Sequence, residues 1–301
     1  MTGLTLFAQN LVGGLGIGCV YALIALGFSL IYRAIGLVNF AQGNLLMFGT
    51  YIGLTFYMGL TVFGIDMPSI SPILAFIIGI AVCALIGVGL ERLFRPLAHI
   101  DLSYMLVGTI GIGIVLDNVA SHIWGSQGTP AETPIGGTVV NLGGVYILPY
   151  TIVIIGITAL LVVALQLFLT RTNLGRGLRA SALDRETASC FGVPVNRMNA
   201  IAFALGAGLA AAAGLLIAPL GYTYPAVGDV LGVKGFVAAV IGGLGDLPGA
   251  VLGGVMYGVI STIIAGYISS TYTDLIAYLT LTLVLIVRPE GLLGARTVEK
   301  V

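Results

Sequence analysis

Hydrophobic runs and polar gaps alternate along nearly the whole chain, and the runs are long. A stretch of about 20 mostly apolar residues can cross a bilayer as a helix. On that rule the pattern predicts spans at about 7–32, 37–62, 70–90, 102–124, 148–170, 198–220, a short one at 231–245, then 248–268 and 272–287. One long polar passage breaks the series, Arg171 to Arg197. Within it Asp184 suits a helix N-cap, Glu186 suits the positive end of that helix, Gly192 fits the position just past its last turn, and Pro194 forbids continuation. The passage predicts a short helix outside the membrane, more ordered than a plain connector requires.

Small residues recur at four-residue spacing inside the runs: Gly14 and Gly18, Gly206 with Ala210 and Gly214, Gly249 with Gly253, and Gly254 with Gly258. Apolar attraction cannot drive helices together in lipid, so close backbone approach through small residues must. The expected fold is all-α, a polytopic transmembrane bundle of about eight or nine segments, some discontinuous or re-entrant, in a single domain over residues 1–301.

Composition agrees. The chain is 58% hydrophobic and 8% charged, with a mean hydropathy of +1.10, whereas soluble domains carry about 25% charged residues. A net charge of zero without basic tracts argues against nucleic acid as a partner. No basic n-region and no A-x-A site mark a removable signal peptide near the start. Cys19, Cys83 and Cys190 are widely spaced and odd in number, which fits packing residues and not a disulfide framework.

Basic residues set the expected orientation, because basic loops resist translocation. With Arg171, Arg176, Arg179, Arg185 and Arg197 inside, alternation also places Arg33, Arg92, Arg95, Arg288, Arg296 and Lys300 inside. Lys234 alone falls elsewhere. The N-terminus is then outside, the C-terminus cytoplasmic, and Asp66, Glu132 and Asp229 lie in outer loops. In the longest outer loop, at about 125–147, Pro130, Pro134, Gly136, Gly137, Gly143 and Gly144 are expected to break any regular element. Trp124 beside it is placed like an interfacial anchor.

Two stretches interrupt the apolar pattern at membrane depth. One is Gly36 to Asn44, where Asn39, Gln42 and Asn44 weaken a helix and require partners. The other runs from Lys234 to Gly245 and is rich in glycine. Paired interrupted segments in two halves point to a transport pathway built on discontinuous helices. The amides could equally serve as hydrogen-bonded glue between helices, and the two roles are compatible. Asp117, beside Asn118, is an intramembrane carboxylate and joins Lys234 as a pathway candidate. Asp274 reads as a solvated helix-start residue.

Enzyme constellations are missing. His99 and His122 fall on opposite sides in this topology and cannot share a metal. No G-x-S-x-G, H-E-x-x-H or G-x-x-x-x-G-K-[ST] occurs, so any ATP used must be hydrolysed by another subunit.

Several stretches resemble one family. Gly18 to Tyr32, Asn39-Phe40-Ala41-x-Gly43 and Met47-x-Gly49 look like the opening of bacterial branched-chain amino-acid ABC importer permeases. The run from Arg176 to Val193, R-G-L-R-A-S-A-L-D-x-x-x-A-x-x-x-G-V, is similar too, as are Lys234 to Gly243 and Arg288-Pro289-x-Gly291-Leu292. The length suits the smaller, H-type subunit. The resemblance implies pairing with a second permease, two cytoplasmic ATPase subunits that use the ATP, and an extracytoplasmic binding protein, in a bacterial inner membrane. No cofactor is implied for this chain. It also implies a role for the polar passage as the ATPase-coupling helix, with Arg179, Asp184, Glu186, Ala188 and Gly192 as coupling residues. Glu186-x-Ala188-x-x-x-Gly192 resembles the EAA loop of importer permeases, with Thr187 in place of the middle alanine and the I-x-L-P continuation absent. Two alternatives stand beside the amino-acid importer: a urea or short-amide permease of the same class, and an ion-coupled secondary transporter working alone. The latter would place more ionisable residues deep in its spans.

Overall fold

The computed structural model describes residues 3–62, 65–98, 102–134, 139–142, 145–221, 223–288 and 290–294. His99, Gly136, Gly137, Gly143, Gly144, Pro289, Arg296 and Lys300, each used above, lie outside the described residues. Among the described residues, six helices are long and apolar enough to cross a membrane: α1 (Gly3–Ile35), α3 (Pro72–Ala98), α4 (Leu102–Trp124), α5 (Pro149–Arg171), α8 (Val195–Ile217) and α10 (Leu247–Tyr267). Three apolar helices are shorter: α2 (Gln42–Met58), α9 (Val227–Gly242) and α11 (Thr273–Val287). Two polar ones, α6 (Asn173–Leu183) and α7 (Arg185–Cys190), fill the passage between α5 and α8.

Helix α1 is the axis of the bundle, touching α10, α8, α9 and α5. Val20 through Ala25 have no exposed surface beyond that of Tyr21. Its approach to α10 depends on glycine: a Cβ on Gly18 would lie 2.8 Å from the Val255 carbonyl oxygen, and one on Gly14 2.8 Å from the Val259 Cα. Outward faces of α4 and α5 stay apolar, with Val107, Val115, Ile152 and Leu160 all more than half exposed. Surfaces of that kind belong against lipid or a partner subunit.

The second predicted span begins later than its hydropathy suggests. Gly36 closes α1 at φ +74°, its N–H donating to the Tyr32 carbonyl at 2.7 Å. The Asn39 side chain then accepts from the Ala41 N–H at 3.1 Å, a local turn that competes with helix. Helix α2 starts only at Gln42. The glycine-rich segment near the other end also differs from expectation: α9 runs unbroken through Gly232 and Gly235. Its break falls earlier, between Gly221, at φ +92°, and Ala226.

The loop at 125–147 is not free of regular structure, because Val140–Leu142 (β3) pairs antiparallel with Val145–Ile147 (β4). A smaller ladder joins Thr61–Val62 (β1) to Ile65–Asp66 (β2). Trp124 turns inward and does more than anchor an interface. It stacks on Tyr51 at 5.1 Å, meets Phe48 edge-on at 5.5 Å, and donates to the Thr55 hydroxyl at 2.7 Å.

Candidate translocation site and the basic end of the bundle

Helices α2 and α9, both too short to cross, begin against one another. A Cβ on Gly43 would come 3.0 Å from the Gly232 Cα, and one on Gly232 2.8 Å from the Gly43 Cα. Gln42 fixes the depth of this crossing by donating from Nε2 to the Gly206 carbonyl at 2.8 Å. Gly206 is the central residue of α8, which spans Val195–Ile217, so it lies roughly 16 Å from either end at 1.5 Å per residue. Two helix N-termini thus meet near the middle of the bundle, each reached by an irregular segment entering from the opposite end. Irregular backbone at that depth is tolerated only where protein buries it or a cavity adjoins it.

A cavity of about 600 Å³ opens there. Its walls come from α1, the segment before α2, α2 itself, α4 and α9, and are layered. Asp117 and Asp229 lie together towards the Trp124 end, with Asn44 beside them; Phe28, Phe40 and Phe236 lie towards the Arg171–Arg197 end. The Asn44 Nδ2 donates to the Asp229 Oδ1 at 3.0 Å. Both Phe28 and Phe40 approach Phe236 at 5.8 Å between ring centroids, a tilted geometry favoured by aromatic pairs. The Phe40 N–H donates to the Thr109 hydroxyl at 3.2 Å and thereby ties the entering segment to α4.

Of the residues expected on a pathway, Asn44 and Asp117 line this cavity. Asn39 and Gln42 are fully buried behind its wall, and half-buried Lys234 lies on α9 outside the lining. Asn118 turns back to its own helix, donating to the Ile114 carbonyl at 2.7 Å. Asp229 corrects an expectation: it is not in an outer loop but in the first turn of α9, facing the cavity. Local hydropathy is low around Gly228-Asp229, and nothing nearby in sequence announces that Gly43 packs there. The side chain of Asp274 is not described.

At the other site, the polar passage folds as two helices. Thr172 caps α6 by accepting from the Gly175 N–H at 3.0 Å. That helix lies on the end of α5 through Gly175 and buries Leu178 and Ser181 beneath it. Arg179 is half-buried, its Nε without a hydrogen-bond partner. Asp184 caps α7, accepting from the Thr187 N–H at 3.1 Å. At the far end the Gly192 N–H reaches the Ser189 carbonyl at 2.9 Å and the Val193 N–H reaches that of Ala188 at 3.0 Å. With Gly192 at φ +79° this is a Schellman closure. Ala188 packs inward, leaving Glu186 exposed.

One residue that the sequence reading did not single out connects the two sites. Arg185, the first residue of α7, donates from Nη2 to the Ala34 carbonyl at 2.7 Å. Partial burial lowers its pKa from the ordinary arginine value. Ala34 is in the last turn of α1, directly before Gly36 and the segment carrying Phe40. A groove of about 920 Å³ flanks α7 on its other side, lined by Arg92, Arg95, Glu186, Cys190 and Arg197 among others. The Arg95 guanidinium there forms a two-pronged pair with buried Glu91, at 3.1 and 2.7 Å. Arg33, Arg92, Arg95 and Arg171 cluster with this passage because α1, α3 and α5 all end beside it. The stretch after α11 joins the same end, where the Leu292 N–H donates to the Ile241 carbonyl at 2.9 Å. No group of residues able to hold a metal occurs among the described residues.

Comparison with known proteins agrees with this architecture. The chain is 37% identical over 98% of its length to the high-affinity branched-chain amino acid transport system permease protein BraD of Pseudomonas aeruginosa, of which 98% is covered. It is 34% identical to the permease protein LivH of Escherichia coli, again over 98% of each chain. A probable LivH permease of Methanocaldococcus jannaschii is 28% identical over 90% of this chain and 88% of its own. Residues 10–285 match the model of the branched-chain amino acid transport system / permease component family. This polytopic membrane protein therefore belongs to the branched-chain amino acid transport permease family.

Proposed function

We propose that this chain is the permease subunit of an ATP-driven importer for branched-chain amino acids, working with a second permease, two cytoplasmic ATPase subunits and an extracytoplasmic binding protein. The functions named for its relatives support the substrate class. The observation that carries the coupling reading is the Arg185–Ala34 hydrogen bond. It joins a capped helix outside the bundle to the helix whose end leads into the mid-depth cavity. In this reading α7 seats in an ATPase subunit through exposed Glu186 and the arginine-lined groove, with Asp184, Ala188 and Gly192 shaping the helix and Arg179 supporting α6. Closure of the nucleotide sites then moves α7 and biases the inward-open against the outward-open arrangement.

The basic end of the bundle is cytoplasmic in this account, since its arginines resist translocation. The cavity is the passage, closed towards the cytoplasm by Phe28, Phe40 and Phe236. Co-purification with a cognate ATPase, followed by uptake of leucine into proteoliposomes, tests the proposal. ATP-dependent uptake by the assembled complex is expected, and none by this subunit alone. Uptake by the isolated subunit would refute it in favour of a secondary transporter.

A further inference from the structure

We infer that the mid-depth cavity is a selective way-station for solutes carrying an ammonium group at one end and a branched apolar group at the other, with Asp229 receiving the ammonium. The inference deepens the permease reading and rests on it. The cavity is polarised along the transport direction. Helices α4 and α9 run antiparallel beside it, so Asp117 and Asp229 face one another at one level while Ile110 and Phe236 sit at another. Asp229 and Phe236 are separated by seven residues of α9, roughly 10 Å along the axis. A leucine-sized solute lying lengthwise spans that distance.

Two carboxylates stand side by side at this level, Asp229 exposed to the cavity and Asp117 half-buried, so negative charge gathers at one end of it. The Arg95–Glu91 ion pair lies at the basic end, far from them. Asp229 takes one hydrogen bond, from Asn44, and that donor is itself 96% buried, with 4% exposure. Asn44 thus fixes one oxygen of the carboxylate at the cavity wall, where both residues line the space. The Asp117 Oδ1 is buried without a hydrogen-bond partner. A buried carboxylate oxygen such as that of Asp117 is costly unless a cation or proton accompanies it, and a second carboxylate beside it adds to the cost. An arriving ammonium meets that need, while Ile110, Ile114 and the three phenylalanines receive the hydrocarbon and exclude charged or large polar side chains.

Leucine can be divided into its two halves to test this. The purified complex with its ATPase and second permease would carry Ile114→Cys in a Cys190→Ser background, since Ile114 is an exposed lining residue and the remaining cysteines are buried. Leucine and 3-methylbutylamine should slow thiol labelling at position 114, whereas 4-methylpentanoate, which lacks the ammonium, should not. Asp229→Asn should abolish protection by the amine and lower leucine uptake about tenfold, as the loss of one charge-assisted contact. It should leave subunit co-purification unchanged. Equal protection by amine and carboxylate, or wild-type leucine uptake by Asp229→Asn, would overturn the inference while leaving the permease reading intact. Loss of the second permease from the Asp229→Asn complex would also overturn it, showing that the carboxylate pairs with the neighbouring subunit. Failure of the unmodified complex to take up leucine with ATP would instead strike the permease reading itself.

Discussion

Replacing Arg185 with methionine isolates the mechanical link between α7 and α1. Methionine keeps an unbranched apolar stem, so packing beneath the residue changes little, but the bond to the Ala34 carbonyl, 2.7 Å long, disappears. Hydrogen bonds involving a charged group contribute about 1.5–3 kcal/mol when sheltered. Much of the Arg185 side chain remains exposed, and water competes for it, so about 1 kcal/mol is the reasonable net figure. Removing a positive charge from the first position of α7 slightly favours the helix, so the handle itself should stay formed. If that energy is what ties α7 motion to the α1 break, losing it weakens coupling by about fivefold. The assay is the ratio of leucine transported to ATP hydrolysed in proteoliposomes. Expected is a ratio near one fifth of wild type with unchanged ATPase co-purification. A wild-type ratio would refute the reasoning, because the bond would then be a passive surface contact.

Other substitutions probe the remaining parts. Gly43→Val should prevent α2 and α9 from meeting, since its Cβ alone would press on the Gly232 Cα at 3.0 Å; a loss of about 1–3 kcal/mol should appear as a lower melting temperature of the solubilised protein, and an unchanged melt would contradict the crossing. Gly192→Ala meets no atom within 4 Å but keeps φ +79°, so it should cost about 1–2 kcal/mol and weaken ATPase binding without harming the bundle, as titration of the ATPase subunit would show. Thr172→Ala removes the cap on Gly175, worth about 1 kcal/mol, and should raise amide exchange in α6 while leaving α8 unaffected. Glu186→Arg and Gly192→Trp should abolish substrate-stimulated ATP hydrolysis yet still insert into the membrane; full stimulation would remove Glu186 and Gly192 from the coupling surface.

The parts of this structure that depend on local chemistry were readable in the sequence. Asp184, Gly192 and Pro194 delimit α7 because capping and backbone handedness act over a few residues. The long spans followed from run length, and the glycine pairs from their spacing. Helix α6 was missed because Gly175 and Gly177 lower its intrinsic propensity. What restores it is the end of α5, against which a side chain at position 175 could not fit. Asp229 was misplaced for a comparable reason. Its role depends on Gly43, which is 186 residues earlier, and no window along the chain contains both. Arg185 was visible as one arginine among several in the passage; only folding shows which of them reaches α1.

Cys190 offers the most direct test of the account's central claim, that α7 is a cytoplasmic handle for an ATPase. It is the exposed thiol of α7, whereas Cys19 and Cys83 are buried. A membrane-impermeant maleimide applied to sealed vesicles of each orientation should label Cys190 from the cytoplasmic side alone, and bound ATPase should protect it. Labelling from the outer side, or labelling undiminished by the ATPase, would contradict the account.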